Sequence, residues 1–195
     1  MIFGYAQSSN KQRTLSGSSG TPNRNLAIGV RLGDPLGITV KKYLPQNRAI
    51  ELSIGRSSYW GYNYRDGFYD NDKFSGYDYV DYEFHNSISI QAHYLFQKNI
   101  PSVKALQWYW GAGPQLRFKK YEYYYRFRDL NGNWVYERQN VTNIDFGGDV
   151  VIGLEYRIPK SLLSVFADAN LLVEIFDDPF RFYGQGGIGC RYSIK

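Results

Sequence analysis

The stretch LQWYWGAGPQLRF, residues 106–118, draws Leu106, Trp108, Trp110, Ala112, Pro114, Leu116 and Phe118 from one list and Gln107, Tyr109, Gly111, Gly113, Gln115 and Arg117 from another. Strict alternation has the two-residue period of a β-strand, whose successive side chains point to opposite faces. The same period returns at 26–32, 38–40, 50–54, 88–96, 150–158, 165–175 and 188–194. A chain committed to period two over this many segments leaves little room for helix.

Eight strands follow, at about 26–33, 37–44, 49–58, 84–96, 105–127, 134–158, 163–176 and 182–194. Short connections carrying proline, LPQNRA (44–49), QKNIPSVKA (97–105) and IPKSL (158–162), alternate along the chain with DPLG (34–37), residues 59–83, the hairpin around LNGNW (130–134) and DDPF (177–180). That alternation puts turns at one end and variable loops at the other, an up-and-down order.

Period two does not say which face meets water. A soluble lipocalin-like barrel has a greasy lumen, and a membrane barrel is built the other way round. The polar list decides the matter because it is rich in glycine and isolated charge. It contains Gly111, Gly113, Gly147, Gly153, Gly187 and Gly189 with Arg31, Glu51, Arg117, Asp145, Asp149, Glu155, Arg157, Asp168, Glu174 and Arg191. A narrow eight-stranded interior needs small residues packed around a few large ones. These ten charged residues are therefore expected to form a polar network inside the lumen, and the aliphatic and aromatic list is expected to face lipid. Tyr94, Phe96, Trp108, Trp110, Tyr156 and Tyr192 gather near the short turns, where a membrane-boundary girdle belongs. No apolar run approaches the roughly 18 to 20 residues of a transmembrane helix, which excludes a helical membrane protein and leaves a strand-built one open.

The runs IGVRLGDPLGITVKKYL (28–44), QWYWGAG (107–113) and IGLEYRIP (152–159) resemble those of the small eight-stranded outer-membrane β-barrels, OmpA/OmpX-like in architecture, and of the outer membrane protein beta-barrel domain group of diderm bacteria. The last strand, GGIGCRYSIK, is similar to the closing strand of such barrels, although it ends Ile194-Lys195 where an aromatic residue is usual. The resemblance implies an all-β fold: an eight-stranded antiparallel up-and-down transmembrane β-barrel in the bacterial outer membrane, with a hairpin of the fifth and sixth strands protruding. Residues 26–195 make this one domain. Residues 1–25 read as a signal remnant, MIFGYA closing on small residues, followed by a disordered Ser/Gly/Asn-rich tail.

The residues offer three candidate chemistries. Inward carboxylates such as Asp145 and Asp149 suit a lumen ion-pair network better than a catalytic pair, because charges excluded from water must be paired. His85 and Ser87 stand two apart on one strand, the spacing of a nucleophile and its base in lipid A deacylase-like enzymes. They form the rival reading of a lipid ester hydrolase, with parity turning both toward the lumen unless a bulge intervenes. DND (70–72) lacks the glycine and closing glutamate of a calcium loop and reads as a solvated acidic segment. No metal or cofactor is expected. The single cysteine, Cys190, removes an intramolecular disulfide.

The formal charge is +5, of which Lys11, Arg13 and Arg24 in the tail account for three, so the barrel is nearly balanced and nucleic acid is not an expected partner. Within it, residues 59–83 carry a net −4 and residues 117–140 a net +3. The neighbouring segments are expected to pack into a Tyr-rich platform of Trp60, Tyr62, Tyr64, Tyr69, Tyr77, Tyr79, Tyr123 and Tyr125. The cations Lys119, Lys120, Arg126 and Arg128 are placed there to meet lipopolysaccharide phosphates, or an extracellular or envelope protein. The function expected is structural, adhesive or recognition, with membrane lipid as partner. The sequence leaves the oligomeric state open.

Overall fold

The computed structural model describes residues 25–58, 64–103, 105–176 and 180–194. These form a closed barrel of eight antiparallel strands in chain order. The strands are β1 (Leu26–Gly33), β2 (Leu36–Leu44), β3 (Arg48–Arg56), β4 (Asp78–Asn99), β5 (Leu106–Arg128), β6 (Trp134–Arg157), β7 (Leu163–Phe176) and β8 (Phe182–Ile194). Closure comes from β1 against β8, which pair from Leu26↔Ile194 to Gly33↔Gly187 and leave no open edge around the ring.

Parity sorts the side chains. Ile38, Ile54, Ile90 and Leu116 lie side by side across β2 to β5, one row of a continuous apolar exterior. Val30, Leu52, Val150, Ile152 and Ile188 are also exposed on that exterior. The alternate positions, Thr39, Lys41, Glu51, Ser53, Gln91, Gln115, Asp149, Glu155 and Arg191 among them, are buried inside. Near the short turns a small apolar group, Ala49, Leu95, Tyr109 and Val151, is mixed with them.

Inward glycines are small because the wall leaves no space. A Cβ on Gly153 would stand 2.5 Å from the Tyr109 ring and 2.8 Å from the Ala167 carbonyl oxygen. Outward Gly184 has nothing within 4 Å.

β4, β5 and β6 are far longer than the rest. The β5–β6 ladder continues to Arg128↔Trp134, and β4 follows β5 to Asp78↔Arg126. β7 leaves β6 at Phe146↔Phe176, and β3 leaves β4 at Arg56↔Ile88. A three-stranded sheet therefore runs on past the ring. β4 starts at Asp78 rather than at about residue 84, because irregularities between Tyr79 and Asp81 and between Phe84 and Asn86 break its alternation.

The segment before β4, expected to be loop, holds a six-residue helix α1 (Tyr64–Tyr69) and a 3₁₀ turn η1 (Asp72–Phe74). Asn71 caps that turn, its side chain accepting from the Lys73 amide at 3.1 Å. The residues of the DND motif thus serve a turn, and among the described residues no group of His, Cys, Asp and Glu has the makings of a metal site.

The β5–β6 connection is wider than a two-residue turn on Asn131-Gly132. Gly132 N donates to Asp129 O at 3.0 Å, Gly132 takes φ +83°, and the Asp129 carboxylate accepts from the amides of Asn131 and Asn133 at 2.9 and 2.8 Å. Hydrogen bonds from those amides hold the Asp129 carboxyl below the usual carboxylate range.

Candidate functional site: the lumen and the sheet beyond it

The lumen is built from charges that β-parity turns inward. Near the short turns Lys41 Nζ donates to Glu155 Oε2 at 2.6 Å, and Arg191 donates to Glu51 at 2.5 Å and to Glu155 at 3.4 Å. Tyr43 and Thr39 hydroxyls complete the group on Glu155 and Glu51 at 2.5 and 3.0 Å. Two cations face two carboxylates, each with further hydrogen bonds, which is what a charged cluster needs in order to persist away from water. Rings form part of the wall: the Arg191 guanidinium lies 3.5 Å from the Phe166 centroid and Lys41 Nζ 4.3 Å from that of Tyr109.

Further along the axis, Arg31 meets Asp168 at 2.5 Å, and Tyr109 donates to the same carboxylate at 3.0 Å. Asp149 accepts from Gln91 and Asn170 at 3.1 and 3.2 Å, with His93 Nε2 at 2.9 Å. Towards the loops Asp145 faces Arg117 at 2.9 Å and Lys119 at 2.5 Å. Glu174 is 3.8 Å from Arg117, whose guanidinium lies 4.0 Å over the Tyr183 ring.

All ten charged residues expected in the lumen line it; Arg157 is the most exposed, 3.9 Å from Glu155 at the rim. Lys41 lies among them as well, and period two from Thr39 to Tyr43 marks it, rather than Lys42, as inward. A cavity of about 10 Å³ bounded by Arg31, Glu51, Gln91, His93 and Asp168 has room for about one water molecule.

With charges inside and aliphatic chains outside, the barrel is the inverse of a lipocalin. Its architecture is that of a small eight-stranded membrane barrel. No family model and no curated protein matches the chain. Among solved structures it is similar to Ail, the attachment invasion locus protein of Yersinia pestis, at 12% identity and a TM-score of 0.44, over 87% of this chain and 93% of that one. The girdle expected near the turns lies on the exterior of this barrel. Tyr94, Phe96 and Trp110 form a run with centroid separations of 5.3 and 4.8 Å, Trp108 is half-buried beside them, Tyr156 is exposed on the adjoining β6, diagonal to Trp108, and Tyr192 is exposed across the ring on β8.

Over the loop end the expected platform takes a different form. α1 and η1 lie on the lumen-side face of the long sheet and bury Tyr64, Phe68 and Phe74 against Tyr121, Tyr123 and Tyr125. Phe68 stacks on Phe74 at 4.5 Å and meets the Tyr123 ring edge-on at 5.1 Å, while Tyr123 donates to the Tyr64 carbonyl at 2.7 Å. Burial pushes the Tyr64 phenol above its ordinary range. Among the described residues, aromatic packing dominates the contact between the two segments, and at the surface Arg126 meets Asp78 at 3.4 Å and Tyr124 donates to Glu83 at 2.9 Å.

Several residues placed on the outer surface by the sequence lie elsewhere. Lys119 is 2% exposed and faces the lumen beside Arg117, because it shares that residue's parity. Tyr64 is buried on the sheet side of the helix itself, Tyr123 and Tyr125 are buried beneath it, Tyr77 and Tyr79 are half-buried against the same cluster, and Tyr69 is exposed. Trp60 and Tyr62 fall outside the described residues.

On the outward face of the same sheet, Lys120 and Arg128 are exposed and Arg126 partly so. The Trp134 ring lies 4.4 Å from the Arg126 guanidinium and 4.7 Å from that of Arg128, with Tyr136 exposed across the ladder from Arg126. Trp134 and Tyr136 belong to this face because their parity in β6 matches that of the cations opposite, the one signal in the sequence that marks them.

His85 and Ser87 do not share a face. The bulge between Phe84 and Asn86 turns His85 out to solvent, and Ser87 is 1% exposed on the inner side.

Proposed function

We propose that the chain is a bacterial outer-membrane barrel, plugged by its own side chains, whose long β4–β5–β6 sheet is a recognition surface for lipopolysaccharide phosphates. The observation that carries this reading is the outward cluster of Trp134 with Arg126 and Arg128, the two guanidinium groups held near one indole. Planar guanidinium groups bind phosphate through paired N–H donors, and a ring that orients them reduces the ordering cost of doing so. Lys120 supports the reading from nearer the membrane: two residues after the exposed Phe118 and on the same outward face, it stands where the apolar exterior gives way to charge. The reading of a plugged interior rests on the charge network that fills it, with room for about one water at the level of Arg31, His93 and Asp168.

The test is lipopolysaccharide binding by the folded barrel. Combined Lys120→Gln, Arg126→Gln and Arg128→Gln should weaken it on the order of a hundredfold, three cations each acting on an anionic surface. Unchanged affinity would refute the reading.

Adhesion to another protein is a second reading, favoured by the fully exposed Leu130 at the hairpin tip and by Phe180, 81% exposed in the β7–β8 connection. Lipid ester hydrolysis is disfavoured by the separation of His85 from Ser87. The double replacement His85→Ala, Ser87→Ala should leave the lipid A acylation pattern unchanged by mass spectrometry, and a shifted pattern would reinstate the enzyme.

A further inference from the structure

Charge is distributed unequally along the barrel axis. Among the described residues, the outward-facing charges at the turn end are all basic: Lys42 at the end of β2, Arg48 at the start of β3, Lys98 at the end of β4, and Lys160 in the turn after β6. Glu51, Asp149, Glu155 and Asp168 face the lumen, and the outward-facing acids stand at the loop end.

Three of these cations occupy one sector. Leu44 pairs with Arg48, so Lys42, two residues before Leu44, is a diagonal neighbour of Arg48 across the β2–β3 ladder. Arg48 pairs with Phe96, so Lys98 is its diagonal neighbour on the other side. Diagonal neighbours of this kind stand about 7 to 8 Å apart, within the reach of one lipid headgroup. Among the described residues, the opposite sector, from β6 through β7 and β8 to β1, carries Tyr156, Leu163, Tyr192 and Ile194 at this level and no outward strand charge.

The central cation is oriented. Arg48 Nη1 donates to the Tyr94 hydroxyl at 3.2 Å, and its guanidinium lies 5.9 Å from the Phe96 centroid. Phe96 stacks on Trp110, and Lys98 pairs with Trp108, so an aromatic floor runs from the cations toward the middle of the apolar belt.

We infer that Lys42, Arg48 and Lys98 form a binding site for the phosphate of an anionic phospholipid in the leaflet at the turn end, with one acyl chain lying on Tyr94, Phe96 and Trp110. The cations project from lipid-facing strand positions in line with the girdle, rather than from turn tips, and this selects a lipid over a water-soluble partner. Interfacial rings and cations on one face are suited to a headgroup whose charge is negative and whose tail is apolar. The site lies at the opposite end of the barrel from the recognition surface proposed above. It rests on the same membrane reading and not on the lipopolysaccharide assignment.

The test uses the full chain carrying Trp60→Phe and Trp134→Phe, so that Trp108 and Trp110 alone report. It is inserted into phosphatidylethanolamine vesicles containing a minor fraction of phosphatidylglycerol, with bromine on the acyl chains of one lipid or the other. Brominated phosphatidylglycerol should quench well beyond its mole fraction. That preference should fall roughly fivefold for each cation replaced by glutamine, reaching parity in the triple variant, while Arg48→Lys should retain most of it. Quenching in proportion to mole fraction in the unaltered site, or a preference that survives the triple replacement, would overturn the assignment. Absence of quenching by either lipid would contradict the membrane reading itself, a separate outcome.

Discussion

The Arg191 guanidinium donates to Glu51 Oε1 at 2.5 Å across the interior of the barrel, joining the last strand to the third. Both side chains are buried, and Arg191 also reaches Glu155. Arg191→Met would leave Glu51 and Glu155 sharing Lys41, with Arg157 near Glu155 only at the rim, and breaking a buried pair from one side costs about 3 to 5 kcal/mol. Adding Glu51→Leu leaves the Lys41–Glu155 pair at 2.6 Å neutral, so the double variant should regain most of that loss. Reversible urea unfolding in lipid vesicles measures both. A single variant within about 1 kcal/mol of the parent would contradict a charge-balanced lumen.

Glycine replacements on the two faces should behave oppositely. Gly153→Ala pushes a methyl into the Tyr109 ring and disturbs its hydrogen bond to Asp168, an overpacking worth about 1 to 3 kcal/mol. Gly184→Ala points outward into open space and should change stability by less than about 0.5 kcal/mol in the same assay. Equal effects would mean that the faces are assigned wrongly.

The cap should be separable from the barrel. Phe68 is fully buried between Phe74, Tyr79 and Tyr123. Phe68→Ala removes the centre of that cluster, a deletion of about 3 to 5 kcal/mol when fully buried. The loss should appear as rapid hydrogen exchange across residues 64–77, with amides of the β1–β3 and β7–β8 ladders unaffected. Slow exchange in 64–77 of the variant would show that the helix is held by something other than these rings.

The hairpin tip should loosen in acid. Because the folded Asp129 carboxyl is held below its unfolded value by the amides of Asn133 and Asn131, its contribution is present above the unfolded value of about 3.9 and is lost as pH falls through the lower folded value. Amide chemical shifts of Asn131 and Asn133 should therefore move at the acid end of a titration, and Asp129→Ala should abolish the movement. A midpoint at or above the unfolded value would contradict the capping geometry.

Much of this architecture is legible in period two, since parity alone places Arg31, Glu51, Asp145, Glu155 and Arg191 in the lumen and Trp110 and Ile152 on the outside. Lys119 shows how the same rule can be misapplied. Read with Lys120 as a basic pair it suggests a surface patch, yet its spacing from Arg117 marks it as inward. The helix α1 could not be read, because six residues are too few to reveal a helical period and YRDGFY carries a glycine and two tyrosines, which suit a loop or strand equally well. The early start of β4 was hidden by its two irregularities, each shifting parity by one and dissolving the alternation that marks a strand. The separation of His85 from Ser87 has the same cause.

Spin labels placed singly along β6 from Val150 to Glu155 test the central claim, that hydrocarbon bathes the apolar face. In membranes, collision with oxygen should peak at Val150, Ile152 and Leu154 and fall at Val151, Gly153 and Glu155, while collision with a water-soluble nickel chelate stays low at the first three. A nickel-chelate maximum at Val150, Ile152 and Leu154 would mean that water, and not lipid, surrounds this barrel.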